Sequence, residues 1–182
     1  MIRRIVISGA LLVALTAGGL LYGQVAARTA SGTPPPMAPV ADQADLVRVD
    51  KSDRRLELLR DGAVIAAYDI SLGAAPDGHK RQEGDERTPE GRYVIDWRNP
   101  NSIAHLSLHI SYPNADDVAQ AAAAGVSPGG NIMIHGLPNG FGILGRLHLL
   151  VDWTDGCIAV TDAEMREIWS RVPNGTPIEL RG

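Results

Sequence analysis

Between residues 46 and 72 the chain alternates apolar and polar side chains in three short runs broken by turn signals, and this commits it to β structure. Leu46-Val47-Arg48-Val49-Asp50 has the period of two that places one face in a core and the other in water. Ser52-Asp53-Arg54 makes a turn, Leu56-Glu57-Leu58-Leu59-Arg60 a second strand, and Asp61-Gly62 is a strong hairpin signal. A third strand covers 64–72 and stops at Gly73. Residues 74–91 are polar and rich in Gly and Pro, and so read as a long loop. Strands follow at 92–97, 106–111, 131–135 and 176–180. A helix is expected over 113–124, with Pro113 at its start, Asp116 and Asp117 in its first turn and Gly125 as its stop. Thr161-Asp162-Ala163-Glu164 has the capping-box spacing. It opens a second helix whose Met165, Ile168, Trp169 and Val172 share one face, ended by Pro173-Asn174-Gly175. A short helix is expected around 145–151, and Trp97 and Trp169 are assigned to the core. The class is mostly β with a few helices, a β-sandwich or partial barrel rather than alternating βαβ units.

The 182 residues divide into three parts. Residues 1–27 read as a signal peptide or a signal anchor: Arg3-Arg4 is followed by an uncharged apolar run over 5–22, and Val25-Ala26-Ala27 offers small residues for cleavage. That run is close to the ~20 residues that span a bilayer, so both readings stay open. In either case the domain is exported, to the periplasm or cell envelope, and meets a membrane only through an uncleaved N-terminal segment. Residues 28–43 are a Pro-rich linker that would reach roughly 40 Å if extended. Residues 44–182 form the folded domain. Without Arg3 and Arg4 the chain has 15 Lys and Arg against 21 Asp and Glu, a charge of −6. An acidic chain lacks the basic footprint of a nucleic-acid binder.

Cys157 is the only cysteine. Exported proteins usually carry cysteines in pairs, so a lone one is a buried inert residue, an intermolecular link or a reactive thiol. Gly156 before it permits close approach to the backbone. A free thiol, with a pKa of about 8.5, needs help to act near neutrality, and histidine is the usual help. His135 ends an apolar strand and is the first candidate; His148, between His135 and Cys157 in sequence, is its rival. His105 and His109, four apart, would share one strand face. They read as structural residues or, for His109, as a cleft residue, and no metal is assigned.

Three ordered segments resemble the L,D-transpeptidase (YkuD-type) catalytic domain over residues 45–181. They are Thr88-Pro89-Glu90-Gly91, Ile134-His135-Gly136, and Thr154-Asp155-Gly156-Cys157-Ile158. The resemblance implies the YkuD-type β-sandwich or partial barrel and a cell-wall enzyme acting on peptidoglycan stem peptides. It implies Cys157 as nucleophile, His135 as base and the Gly136 carbonyl as its orienting group. It also implies an oxyanion held near Gly156 and Cys157, a thioester intermediate, and no cofactor.

Asp155 stands where the family usually has histidine, and Ala159 where it usually has arginine. Asp-Trp-Thr-x-Gly-Cys-Ile-Ala is similar to a branch that includes hydrolases of peptidoglycan–lipoprotein links, which makes a peptidoglycan-linked lipoprotein a candidate partner. Asp155 is expected to point away from the thiol. Lys80 and Arg87, on the mixed-charge loop 78–91, are the candidates to take over the arginine's contact with a substrate carboxylate. The alternative is a non-catalytic peptidoglycan-binding module that keeps a relic cysteine.

Overall fold

A computed structural model describes residues 33–182; the expected leader, 1–27, and the first part of the linker lie outside the described residues. Eight strands form one sheet in the order β3-β2-β1-β8-β4-β5-β6-β7. They are β1 Leu46–Asp50, β2 Arg55–Arg60, β3 Ala63–Asp69, β4 Gly91–Asn99, β5 Ser107–Ile110, β6 Met133–His135, β7 Ile158–Ala159 and β8 Pro177–Arg181. Asp61 and Gly62 both have positive φ and close the β2–β3 hairpin as its sequence predicts. β1 and β8 pair in parallel, as do β6 and β7, and the remaining neighbours are antiparallel.

The sheet curls until its two ends meet. Just past β3, Ser71 exchanges both backbone hydrogen bonds with Ala159 of β7, at 3.0 and 2.8 Å. Two residues on, Gly73 bridges to Thr154. The result is a half-barrel, mostly β, as expected. Its interior is filled by alternating strand residues such as Val47, Val49, Leu56, Leu58, Ile95 and Ile178, all fully buried. Each such side chain contributes about 1.5–3 kcal/mol of burial.

Among the described residues, two α-helices accompany the sheet: α1 Ala115–Ala123 and α2 Asp162–Arg171. The capping box at Thr161 and Glu164 forms as its spacing predicts, and the face bearing Met165, Ile168, Trp169 and Val172 is buried. α1 begins later than expected. Its cap is Asn114, whose side chain accepts from the amides of Asp116 and Asp117 while the Asp117 carboxylate accepts from the Asn114 amide. The helix expected near residue 145 is a 3-10 segment, Gly142–Leu150, kinked at Gly145. Trp97 departs from its core assignment: it is 40% exposed and stacks on His109, centroid to centroid 4.9 Å. Position 97 falls on the outer face of β4, and its apolar ring is covered by a neighbour rather than by the core.

Residues 33–43 run along the domain. The Ala38 amide donates to Ser170 O at 2.8 Å, and Arg166 donates to Thr33 O at 3.0 Å. Among the described residues no helix is long and apolar enough to cross a membrane.

Candidate active site

Cys157 sits on a turn whose shape is set by its neighbours. The Thr154 hydroxyl donates to Cys157 O at 2.7 Å and accepts from the Gly156 amide at 3.2 Å, closing the turn from inside. Asp152 fixes the entry to this turn. Its carboxylate accepts from the Leu72 amide at 2.8 Å and from Arg54 at 2.8 and 3.1 Å. Gly156 has φ +118°, and a Cβ there would lie 2.5 Å from Arg87 O, so only glycine fits. The loop at residues 74–90 backs this turn. Thr88 Oγ1 accepts from the Gly73 amide, and buried Lys51 donates to Gly78 O, Thr88 O and Glu90 Oε1 at 2.6, 2.9 and 2.9 Å. The Thr-Pro-x-Gly segment thus acts as a brace behind the nucleophile turn.

β6 and β7 bring the thiol and the histidine together. Their parallel register pairs Ile134 with Ile158 and His135 with Ala159. Both isoleucines are fully buried in the core. The alternation of strand side chains then puts His135 and Cys157 on the opposite, cleft-facing side. Both line one cavity of about 440 Å³, with Ser107, Met133, Trp153 and Asp155 among its walls. The Cys157 sulfur approaches Asn131 O at 3.6 Å.

His135 Nδ1 lies 2.6 Å from Gly136 O. A carbonyl can only accept, so Nδ1 carries the proton and Nε2 keeps its lone pair. Burial pushes the His135 pKa below the usual imidazole value, opposed by the Gly136 carbonyl. Burial raises the Cys157 thiol; the Met133 amide facing it pulls it down, the Asp155 charge adds to the rise, and Lys80 opposes it. Both shifts favour a neutral thiol beside a neutral base over a thiolate–imidazolium pair. Alkylation of Cys157 by iodoacetamide is therefore expected to accelerate with pH through a midpoint above that of a small free thiol. A plateau already reached near about pH 6 would instead reveal an ion pair.

The other expected site residues are placed as follows. Asp155 is exposed, shares the cavity wall with Cys157, and its charge reaches the thiol. Lys80 is buried and bound to Asp85 at 2.8 Å and to Gln82 O at 3.1 Å, outside the cavity lining. Burial acts to raise the Asp85 carboxyl, but Lys80 and the amides of Arg81, Gln82 and Arg87 more than offset it, holding the group at about 2. Arg87 contributes its carbonyl beneath Gly156, while its guanidinium lies beside Gly78. His109 shares the sheet face of Ser107 but is held by Asp96 at 2.6 Å and covered by Trp97, and it does not line the cavity. The Gly156 amide points at Thr154, which leaves it a weak candidate for holding an oxyanion in this conformation.

His148 is separated from the thiol. It is buried with Nδ1 3.2 Å from Ser71 Oγ, and Trp153 stands edge-on to both His148 and His135, at 6.5 and 5.8 Å. Ala159 is fully buried opposite Ser71, and Ser71 in turn donates to His148 O. The space beside Ala159 is thus filled by the 142–150 segment. Sequence reasoning did not assign roles to Lys51, Asp152 or the Thr154 hydroxyl. The Asp-x-Thr-x-Gly-Cys spacing is the signal that marks the last two. Among the described residues no three His, Cys, Asp or Glu side chains cluster to hold a metal ion.

A sequence profile of the L,D-transpeptidase catalytic domain, YkuD, matches residues 44–180. Among solved structures, the chain is similar to the helical cell shape determining protein Pgp2 from Campylobacter jejuni. That match has 26% identity and a TM-score of 0.57, covering 75% of this chain and 46% of that one. It is similar in fold to Bd1075 from Bdellovibrio bacteriovorus, with 20% identity, a TM-score of 0.52 and coverage of 82% and 52%. It is also similar in fold to an L,D-transpeptidase from Mycobacterium smegmatis, with 14% identity, a TM-score of 0.50 and coverage of 75% and 58%. The chain therefore spans about half the length of these structures. No curated protein matches it.

Proposed function

We propose, from the premise that this chain belongs to the L,D-transpeptidase catalytic-domain family, that it is an exported cysteine enzyme acting on peptidoglycan stem peptides through a thioester. The observation that carries the reading is that Cys157 and a buried, neutral His135 line one cleft, the imidazole oriented by Gly136 O. The Cys157 sulfur attacks the carbonyl carbon of the third stem residue, a diamino acid, while His135 Nε2 takes the thiol proton. His135 then returns that proton to the departing amine as the C–N bond breaks, and the acyl group remains on sulfur. Water releases it as a carboxylate, or an incoming amine takes it as a new amide.

Hydrolysis is the favoured outcome, because Asp152-Trp153-Thr154 followed by Gly156-Cys157-Ile158-Ala159 resembles a branch that includes hydrolases of links between peptidoglycan and a lipoprotein. Such a polypeptide joined to the stem is the proposed partner. The site of action is the periplasm or cell envelope, reached through the segment at residues 1–27, either cleaved or kept as an anchor.

The test is incubation of wild-type protein and Cys157→Ala with defined muropeptides, unlinked tetrapeptides and stems joined to a short peptide, with products read by mass spectrometry. A Cys157-dependent gain of water is expected. Amino-acid exchange or dimers would identify a transferase. The absence of any Cys157-dependent product from every substrate would leave the relic-cysteine module as the better reading.

A further inference from the structure

The register that places the thiol also places two aromatic rings. His109 pairs with Trp97 on β4 and with Met133 on β6. The parallel pairing of Ile134 with Ile158 then sets Met133 beside Cys157, at the entry to β7. Cys157, Met133, His109 and Trp97 therefore form one row across the sheet, on the face away from the core. Met133 and Cys157 line the cleft, and His109 and Trp97 continue the same face beyond it. Three strand spacings separate the ends of the row, roughly 14 Å along the sheet.

Trp97 is 40% exposed, yet its orientation is fixed. One indole face stacks on His109, with centroids 4.9 Å and planes 19° apart. His109 is itself held, because its Nδ1 donates to Asp96 Oδ1 at 2.6 Å. The register shift between Ile95 and Trp97 lets the adjacent Asp96 and Trp97 both reach His109. The Asp96 side chain stays 41% exposed, and its carboxylate can accept further hydrogen bonds. A rigid, exposed, flat ring with an acceptor beside it suits a ligand with an apolar face and donors at its edge, and loses little freedom on binding. A sugar ring has this form. Its C–H bonds are slightly positive and match the negative face of an indole, and its hydroxyl and acetamido N–H groups donate. A stem peptide, built of aliphatic and charged residues, has no such ring.

The separation fits the same ligand. With the third stem residue at the thiol, three residues at about 3.3 Å each span about 10 Å. The lactyl group that joins the first residue to its sugar adds a length close to one residue more. We propose that Trp97 is the platform for the amino sugar that carries the stem peptide, its free indole face covering the C–H face of the sugar while Asp96 accepts from a hydroxyl or acetamido N–H. This rests on the reaction proposed above, because the thiol fixes where the third stem residue lies. It makes the preferred substrate a stem still attached to its glycan rather than a released peptide.

The test has two arms on the full-length protein. In the first, Cys157→Ala protein is titrated with the N-acetylglucosamine–N-acetylmuramic acid disaccharide, with the free stem tetrapeptide and with the two joined, and binding is read from the Trp97 indole NMR resonance. The disaccharide and the joined muropeptide are expected to move it, and the free tetrapeptide to leave it in place. In the second, stem tripeptides linked through their third residue to a short peptide are supplied free or carried on the disaccharide, and kcat/KM is compared. The sugar-bearing substrate is expected to be favoured by about tenfold. Trp97→Ala should bring that ratio toward one, and Trp97→Phe, which keeps a flat ring, should retain part of it. Equal kcat/KM with and without the sugar in the wild type, with Cys157-dependent cleavage intact, overturns the platform and leaves the reaction standing. A Trp97 resonance moved by the disaccharide, with no Cys157-dependent product from any substrate, leaves the platform standing and removes the reaction. If Trp97→Ala lowers kcat/KM equally for both substrates, or if the free tetrapeptide alone moves the resonance, Trp97 meets the peptide and the inference fails.

Discussion

Replacing His135 by glutamine is expected to slow acylation of Cys157 by about 10²–10⁴-fold, the range over which a positioned general base contributes. The thiol is partly buried and its ionisation is disfavoured, so it carries little thiolate of its own near neutrality. Attack therefore depends on transfer of its proton as the S–C bond forms. Nε2 of His135 is the base because Nδ1 is committed to Gly136 O. Its lowered pKa keeps it unprotonated further into acid than an ordinary histidine. The acid limb of kcat/KM in the wild type should accordingly lie below the usual imidazole range. Quenched mass spectrometry of the acyl-enzyme in a single turnover measures the step directly. His135→Gln within threefold of wild type, with an unchanged fold, would falsify the assignment of His135 as base. His148 adds to the lowering of the His135 pKa, so His148→Phe should move the acid limb upward without abolishing acylation.

The second large effect is expected far from any reacting atom in sequence. A Cβ on Gly73 would fall 2.0 Å from Glu86 O and 2.9 Å from the Gly156 Cα. Both obstacles are backbone, and neither can yield by rotating a side chain. Gly73→Ala must part the strand exit from the loop at residues 74–90 and displace the turn that carries Cys157. A loss of about 3 kcal/mol or more is expected, the upper range for overpacking. That corresponds to a fall in Tm of roughly 10 °C for a domain of this size, together with loss of turnover. Gly62→Ala is the control. It also replaces a glycine, but a Cβ there meets nothing within 4 Å, so only its positive φ resists, at about 1–2 kcal/mol. Equal melting temperatures for the two variants would show that the 74–90 loop does not brace the nucleophile turn.

Local signals in the sequence were read well where neighbours decide the structure. Asp61-Gly62 set the hairpin, and Thr161 with Glu164 capped α2, because each motif satisfies its own backbone groups. What escaped depends on partners distant in sequence. β7 is two residues long and exists because β6, more than twenty positions earlier, pairs with it, with Ser71, nearly ninety positions earlier, bridging its other edge. Lys51 carries no local signal in the sequence, yet it is buried and ties together Gly78, Thr88 and Glu90. Trp97 was given to the core because tryptophan is apolar, but its strand face points outward and His109 covers it. The thiol and the histidine were legible as a candidate pair. That Lys80 would be engaged by Asp85, away from the cavity lining, was not, because the pairing depends on the loop's closed shape.

The position of β8 governs when this domain can exist at all. Its five residues, Pro177–Arg181, are the last of the described strands in chain order, yet they lie between β1 and β4 in the middle of the sheet. Until they arrive, the hairpin half and the catalytic half have no strand to join them. A nascent chain therefore cannot complete its native sheet until β8 is in place. For the export proposed above this order is useful: a segment that must be threaded through a narrow translocation channel stays threadable until β8 has followed it. The same topology makes β8 intolerant of deletion, since losing its five residues removes the strand that joins β1 to β4.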